Sequence, residues 1–319
     1  MAARRARKRS TQKAELMEVQ TAGNLLGDAI KSVQADIDSL FDALLPVPDD
    51  TSARLVEAMR YAAIGGGKRV RPLLVCSTAS LFGVSRDAAL RAGAAIEAIH
   101  VYSLIHDDLP CMDNDDLRHG KPTLHKAYDE ATAVLAGDAL HALAFEILSH
   151  SDTSEDPFTR SELIATLGQA SGMHGMAGGQ MMDMVADDEG VNYDLHTITR
   201  LQQLKTGALL AASVEMGAIL GKVAPQGRAH LRAYARDIGL AFQIADDLLD
   251  VEGDMAKAGK ALRKDESQGK QTFVTLMGAD KAREQGCALV DQAVLRLASY
   301  GPEADILRAL ARFIVERDR

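Results

Sequence analysis

The chain has 319 residues, 47% of them apolar but only 4% aromatic, with no tryptophan and a formal charge of −9. That charge argues against general nucleic-acid binding, and the length suffices for one domain with a large core. Three widely spaced cysteines, Cys76, Cys111 and Cys287, suit neither a disulfide framework nor a zinc site and fit a reducing cytoplasm.

Long Ala- and Leu-rich stretches, eight prolines and few alternating β-branched runs predict an all-α fold. The basic run Arg4, Arg5, Arg7, Lys8 and Arg9 has no apolar segment behind it, so it is not read as a secretory signal. Residues 1–24 are expected to form a disordered or loosely packed tail, and 25–319 a single domain. Gly65-Gly66-Gly67 comes next, followed by Lys68, Arg69, Arg71 and Pro72, and Leu73–Leu81 reads as a helix ended by Gly83. The glycines alone could be a flexible interhelical turn. A helix N-terminus flanked by cations is also a natural phosphate site.

Glu97, His100, Leu104 and Asp108 follow at spacings of three and four, which places His100 on the helix face of Asp107 and Asp108. Pro110 breaks or bends that helix, Asp113 extends the acidic cluster, and Arg118, His119 and Lys121 set cations close behind it. The apolar stretch Ala131–Leu148 is interrupted by Asp138, His141 and Glu146, so no bilayer-spanning segment and no stable membrane insertion are expected. A second cluster, Asp246-Asp247-Leu248-Leu249-Asp250, lies on an apolar-rich helix, with Asp250 one turn beyond the first pair. One such string would be read as a solvated face. Two clusters of costly buried acids instead suggest the halves of one Mg²⁺ site, because Mg²⁺ is shared between a few carboxylates and the oxygens of a diphosphate. Beyond it, Gly253–Lys270 carries Lys257, Lys260, Arg263, Lys264 and Lys270, either a basic lid over the metals or a solvated loop.

The ordered set Lys68-Arg69-Val70-Arg71-Pro72, SLIHDDLPCMDNDDLRHGKP from Ser103 to Pro122, Leu135–Leu140 (LAGDAL), Lys205-Thr206-Gly207 and FQIADDLLD resembles the short-chain trans-polyprenyl diphosphate synthases. The resemblance spans roughly residues 25 to 319. It implies an orthogonally packed all-α helical bundle around a deep central cavity, a homodimer, and a Mg²⁺-dependent prenyltransferase, with three ions bound alongside substrate. By the same resemblance the metal ligands are Asp107, Asp108, Asp113, Asp246, Asp247 and Asp250. Isopentenyl diphosphate falls to Lys68, Arg71, His100 and His119, and the allylic diphosphate to Arg118, Lys205 and Lys260, with Lys270 also on the substrate side. Lys205, Thr206 and Gln243 are implied to steady the allylic cation, and Gln180 and Asp183 also match the family.

One departure stands out: the family commonly has two consecutive arginines where this chain has Arg118-His119. Histidine lacks the permanent planar fork that grips phosphate. Ser103 and Tyr102 lie four and five residues before Asp107, one turn or so deeper along the helix, and by the same resemblance they form the floor of the elongation cavity, where a tyrosine stops growth early and favours farnesyl diphosphate. The string LPCMDNDD looks more like geranylgeranyl diphosphate synthases, and Tyr102 could also be only a core residue. A terpene cyclase would need aromatic faces that a chain without tryptophan supplies poorly. A non-catalytic partner subunit is disfavoured by the intact clusters and Lys205.

Overall fold

A computed structural model describes residues 2–189, 193–252 and 271–316, and the side chains within them from Gly23 onward except at 187–189. The described residues are almost all helical, as the composition predicts. Helix α1 (Ala2–Leu44) runs unbroken across the expected boundary at residue 24, followed by α2 (Ala53–Ala63), α3 (Val70–Ser80) and α4 (Arg86–Asp107). After a short hairpin of β1 (Leu117–Arg118) and β2 (Lys121–Pro122) come α5 (Leu124–Ala127), α6 (Glu130–Ser149), α7 (Pro157–Ser171), α8 (Met176–Glu189) and α9 (Leu195–Gln202). A π-helical turn, Gln203–Gly207, joins α9 to α10 (Ala208–Leu220). Helices α11 (Ala229–Glu252), α12 (Phe273–Met277), α13 (Ala279–Arg296) and α14 (Asp305–Glu316) complete the bundle.

The helix starts follow local chemistry. Asp129, Asp156 and Asp194 cap α6, α7 and α9 by accepting backbone N–H bonds from Thr132, Phe158 and Thr197. Thr272 and Thr275 form a reciprocal box at the start of α12. Helix α3 begins at Val70 rather than Leu73, so Pro72 falls inside its first turn, where the missing N–H has no partner to lose.

Helices α4 and α10 form the centre. Helix α4 packs against α3, α6 and α10, while α10, apolar apart from Ser213 and Glu215, is enclosed by α3, α4, α7 and α11. Ile96, Ile99, Leu74 and Leu140 are among the fully buried core residues, each worth about 1.5–3 kcal/mol of transfer free energy. Tyr234 is fully buried on α11, and its hydroxyl is satisfied by donating to the Leu307 carbonyl at 2.8 Å, which ties α11 to α14.

Two features depart from the sequence reading. The hairpin was not expected; its two-residue turn is His119-Gly120, with φ of 51° and 76°, the positive pair that twists strands correctly. Two helices, Arg86–Asp107 and Glu130–Ser149, are apolar and long enough to cross a membrane by length and composition. In the bundle they pack on each other, with 67% and 44% of those stretches buried.

Candidate active site

A cavity of about 340 Å³ opens beside the N-terminus of α3. Its wall joins Gly65–Gly67, Lys68 and Arg71 to His100 and Asp108 of the α4 end, Arg118 and His119 of the hairpin, Thr206 of the π-turn and Phe242 of α11. Gly65 and Gly67 both have positive φ, a backbone conformation that favours glycine. A Cβ on Gly66 or Gly67 would lie 3.9 Å from the His119 ring.

Of the three cations after the glycines, the middle one is structural. Arg69 caps α3 in the left-handed region, is 3% exposed, and pairs with Glu97 at 2.9 Å and Asp38 at 2.7 Å. That buried pair anchors the loop and aims Lys68 and Arg71 at the cavity. The buried Arg71 Nε lacks a hydrogen-bond partner, as a donor would where an anionic ligand completes the wall. Burial, reinforced by Arg71, holds the His100 imidazole well below its ordinary pKa, so it is neutral here. Partial desolvation and Arg118 likewise lower His119, which therefore supplies no charge at neutral pH.

The first acidic cluster sits where α4 ends. Asp107 is the last helical residue, and burial pushes its carboxyl up to about 6 despite nearby Lys205, with Asp113 adding to the rise. Burial also raises Asp108, against the opposing pull of Arg118. Arg118 Nε donates to both Asp108 oxygens, at 2.8 and 3.1 Å. These two residues, expected as a metal ligand and a diphosphate ligand, are thus each other's partner across the turn that follows α4. Asp113 lies on the exposed turn, its N–H bonded to the Asp107 carbonyl at 2.8 Å.

The second cluster is built into the middle of α11. Asp247 is 6% exposed and accepts the Phe273 N–H at 2.8 Å, which satisfies the first turn of α12. Asp250 is 8% exposed, and its buried Oδ2 has no partner. Asp246 and Gln243 are half-buried on the same helix. Among the described residues no three His, Cys, Asp or Glu side chains already stand at metal-binding distance. An orphaned buried carboxylate oxygen at Asp250 and an acid at Asp107 held above its ordinary range are nonetheless what a divalent cation would relieve.

Between the clusters lies the π-turn. It packs on α8 and α11, carries Lys205 and Thr206, and brings the Lys205 ammonium near Asp107 and into a 2.6 Å ion pair with Asp183. Lys260, Lys270 and the expected lid lie outside the described residues. Tyr102 is half-buried on the α6 side, edge-on to the rings of His106 and His141 at 5.7 and 5.0 Å. The hydroxyl of Ser103 donates to the His100 carbonyl at 2.8 Å. From this stretch of α4 the cavity takes Val101, Leu104 and Ile105 instead, since each residue turns the helix by about 100°.

Sequence reasoning missed Leu310, Phe313 and Ile314, by which α14 closes the apolar side of the cavity. Their spacing of three and four was the available signal. The ion pair of Lys205 with Asp183 left no local trace.

Comparison with known proteins agrees with this geometry. The Polyprenyl synthetase family model matches residues 52–299. The chain is 45% identical over 281 residues to a farnesyl diphosphate synthase of Escherichia coli (strain K12), covering 86% of this chain and 93% of that protein. It is 43% identical to a chloroplastic geranylgeranyl pyrophosphate synthase of Catharanthus roseus, covering 83% and 74% of the two chains. The apo crystal structure of a FPP/GFPP synthase from Zymomonas mobilis superposes with a TM-score of 0.85 at 60% identity, covering 92% of this chain and 99% of that one. The chain belongs to the polyprenyl synthetase family, with its all-α isoprenoid synthase fold.

Proposed function

We propose that the protein is a farnesyl diphosphate synthase, joining isopentenyl diphosphate to dimethylallyl and then geranyl diphosphate. The observation that carries this reading is a single cavity whose wall runs from Lys68, Arg71 and His100 to Asp108, Arg118 and Thr206. Two diphosphates of like charge need such a division into a cationic pocket and an acid-lined one.

Lys68 and Arg71 hold the diphosphate of the isopentenyl substrate, and neutral His100 donates or accepts a hydrogen bond at its edge. Arg118 and Lys205 hold the allylic diphosphate. Asp107, Asp108, Asp113, Asp246, Asp247 and Asp250 would hold Mg²⁺, which when bound neutralises the leaving diphosphate as the allylic C–O bond ionises. The carbonyl of Lys205, the Thr206 hydroxyl and the Gln243 amide turn dipoles toward the allylic cation without capturing it. The apolar wall of Leu310, Phe313 and Ile314 keeps water from the cation until the isopentenyl double bond attacks. The proton then lost passes to the departing diphosphate, so no protein base is needed.

The protein works as a single domain in a cytoplasmic homodimer. Val134 and Leu135 on the outer face of α6, 40% and 57% exposed, are suited to an apolar subunit contact. Fifteen carbons is the product length consistent with a tyrosine at position 102. A geranylgeranyl product is the second reading, favoured by the LPCMDNDD string and the plant relative. Purified protein incubated with Mg²⁺, labelled isopentenyl diphosphate and each allylic primer tests this. Farnesol after dephosphorylation is expected; geranylgeraniol would select the second reading, and a cyclic hydrocarbon or no turnover would refute both.

A further inference from the structure

The turn that carries Lys205 and Thr206 is π-helical, a wider and rarer form than the α-helices on either side, and such turns are frequent at functional sites. Helix α8 packs directly on it. An added Cβ on Gly179 would stand 2.2 Å from the Lys205 nitrogen, 2.6 Å from its Cα and 2.9 Å from the Leu204 carbonyl carbon. Helix α8 therefore meets the turn backbone to backbone at the lysine itself, a contact only glycine permits. Four residues on, and so on the same face of α8, Asp183 accepts the Lys205 ammonium at 2.6 Å. The two side chains are 29% and 20% exposed, so the pair is sheltered without being sealed from substrate.

One helix face thus grips Lys205 at its main chain and at its charged end. The ammonium also feels Asp107. Without Asp183 it would be drawn toward that carboxylate, across the space where the allylic diphosphate is to bind. We propose that Gly179 and Asp183 are positioning residues for allylic ionisation: α8 is a bracket that fixes the π-turn and keeps the Lys205 ammonium off Asp107. The inference rests on the reading of Lys205 as an allylic-diphosphate ligand.

The test is steady-state kinetics of Asp183→Asn, Asp183→Glu and Gly179→Ala, with Mg²⁺ titrated for each, beside calorimetric binding of inorganic diphosphate in Mg²⁺. Asp183→Asn keeps the packing and should lower kcat by about tenfold to a hundredfold, the scale of misplacement by an ångström or so, with KM for isopentenyl diphosphate changed less than about twofold. Asp183→Glu should recover most of the loss. Gly179→Ala should lose at least as much as Asp183→Asn, with circular dichroism melting separating displacement of the turn from unfolding. The bracket is refuted if Asp183→Asn keeps kcat within about twofold, or if both substrates' KM values rise alike. It is equally refuted if saturating Mg²⁺ restores the rate, which would make Asp183 a metal ligand. A wild-type chain that elongates nothing overturns the functional reading instead. Calorimetry then still decides the bracket: diphosphate binding weakened several-fold in Asp183→Asn and recovered in Asp183→Glu supports it, and unchanged binding refutes it.

Discussion

The two aspartate clusters have nearly the same sequence and opposite architectures. The first is spread over a helix end and the turn after it; the second is rigidly spaced in the middle of α11. Yet in each the protein engages the second aspartate of the pair: Arg118 takes Asp108, and the N–H of Phe273 takes Asp247. Asp107 and Asp250 carry the larger cost, one with a carboxyl pushed up to about 6 and the other with an orphaned buried oxygen, while Asp108, also raised by burial, is partly relieved by Arg118. An acidic motif is thus divided between residues that build the site and residues held at a cost in the metal-free protein.

The largest expected effect breaks the costly half. Asp107→Ala or Asp250→Ala should reduce turnover by about a thousandfold or more while the fold survives, because charge stabilisation at the leaving group is lost. Losses under about tenfold in kcat would contradict a metal role for these residues. Breaking the building half reads out differently. Asp247→Ala orphans the Phe273 N–H and should cost about 1–3 kcal/mol in urea unfolding, in addition to any loss of rate.

Two smaller effects concern the substrate pockets. Tyr102 stands on the α6 side, outside the wall that Val101, Leu104 and Ile105 form, so its test is whether the growing tail reaches that side: Tyr102→Ala should lengthen the product from fifteen carbons toward twenty, read by chromatography of dephosphorylated products, and an unchanged distribution at comparable activity would remove Tyr102 from the floor. His119→Arg replaces a neutral ring by a permanent fork and should lower KM for isopentenyl diphosphate by about fivefold, leaving the allylic KM nearly unchanged. Equal shifts in both would place His119 elsewhere.

Fold class was legible because it rests on a local signal, helical composition, and the two clusters stood out as acids close together in apolar surroundings. What each acid touches was not legible. Asp108 meets Arg118 across the turn that follows α4, where the N–H groups of Asp113 and Asn114 bond back to the Asp107 and Leu109 carbonyls, and Asp247 caps a helix that begins 26 residues later. The sequence left Arg69, between Lys68 and Arg71, without a role, which its burial against Glu97 and Asp38 supplies. Spacing records which residues share a face, but not which partner arrives from another element.

The cost assigned to Asp107 fixes the sign of a stability change. A carboxyl whose folded pKa lies above its unfolded value binds its proton more tightly in the folded chain, so stability falls as pH rises from about 4 through 6. Removing that charge should then stabilise the metal-free protein above pH 6, by up to about 3 kcal/mol. The decisive measurement is urea unfolding of metal-free wild type, Asp107→Asn and Asp247→Asn at pH 7.5 and pH 4.5. Asp107→Asn should exceed wild type at pH 7.5 with a margin that shrinks at pH 4.5, while Asp247→Asn falls below wild type at pH 7.5. An Asp107→Asn protein no more stable than wild type at pH 7.5 would contradict the division of labour between the paired aspartates.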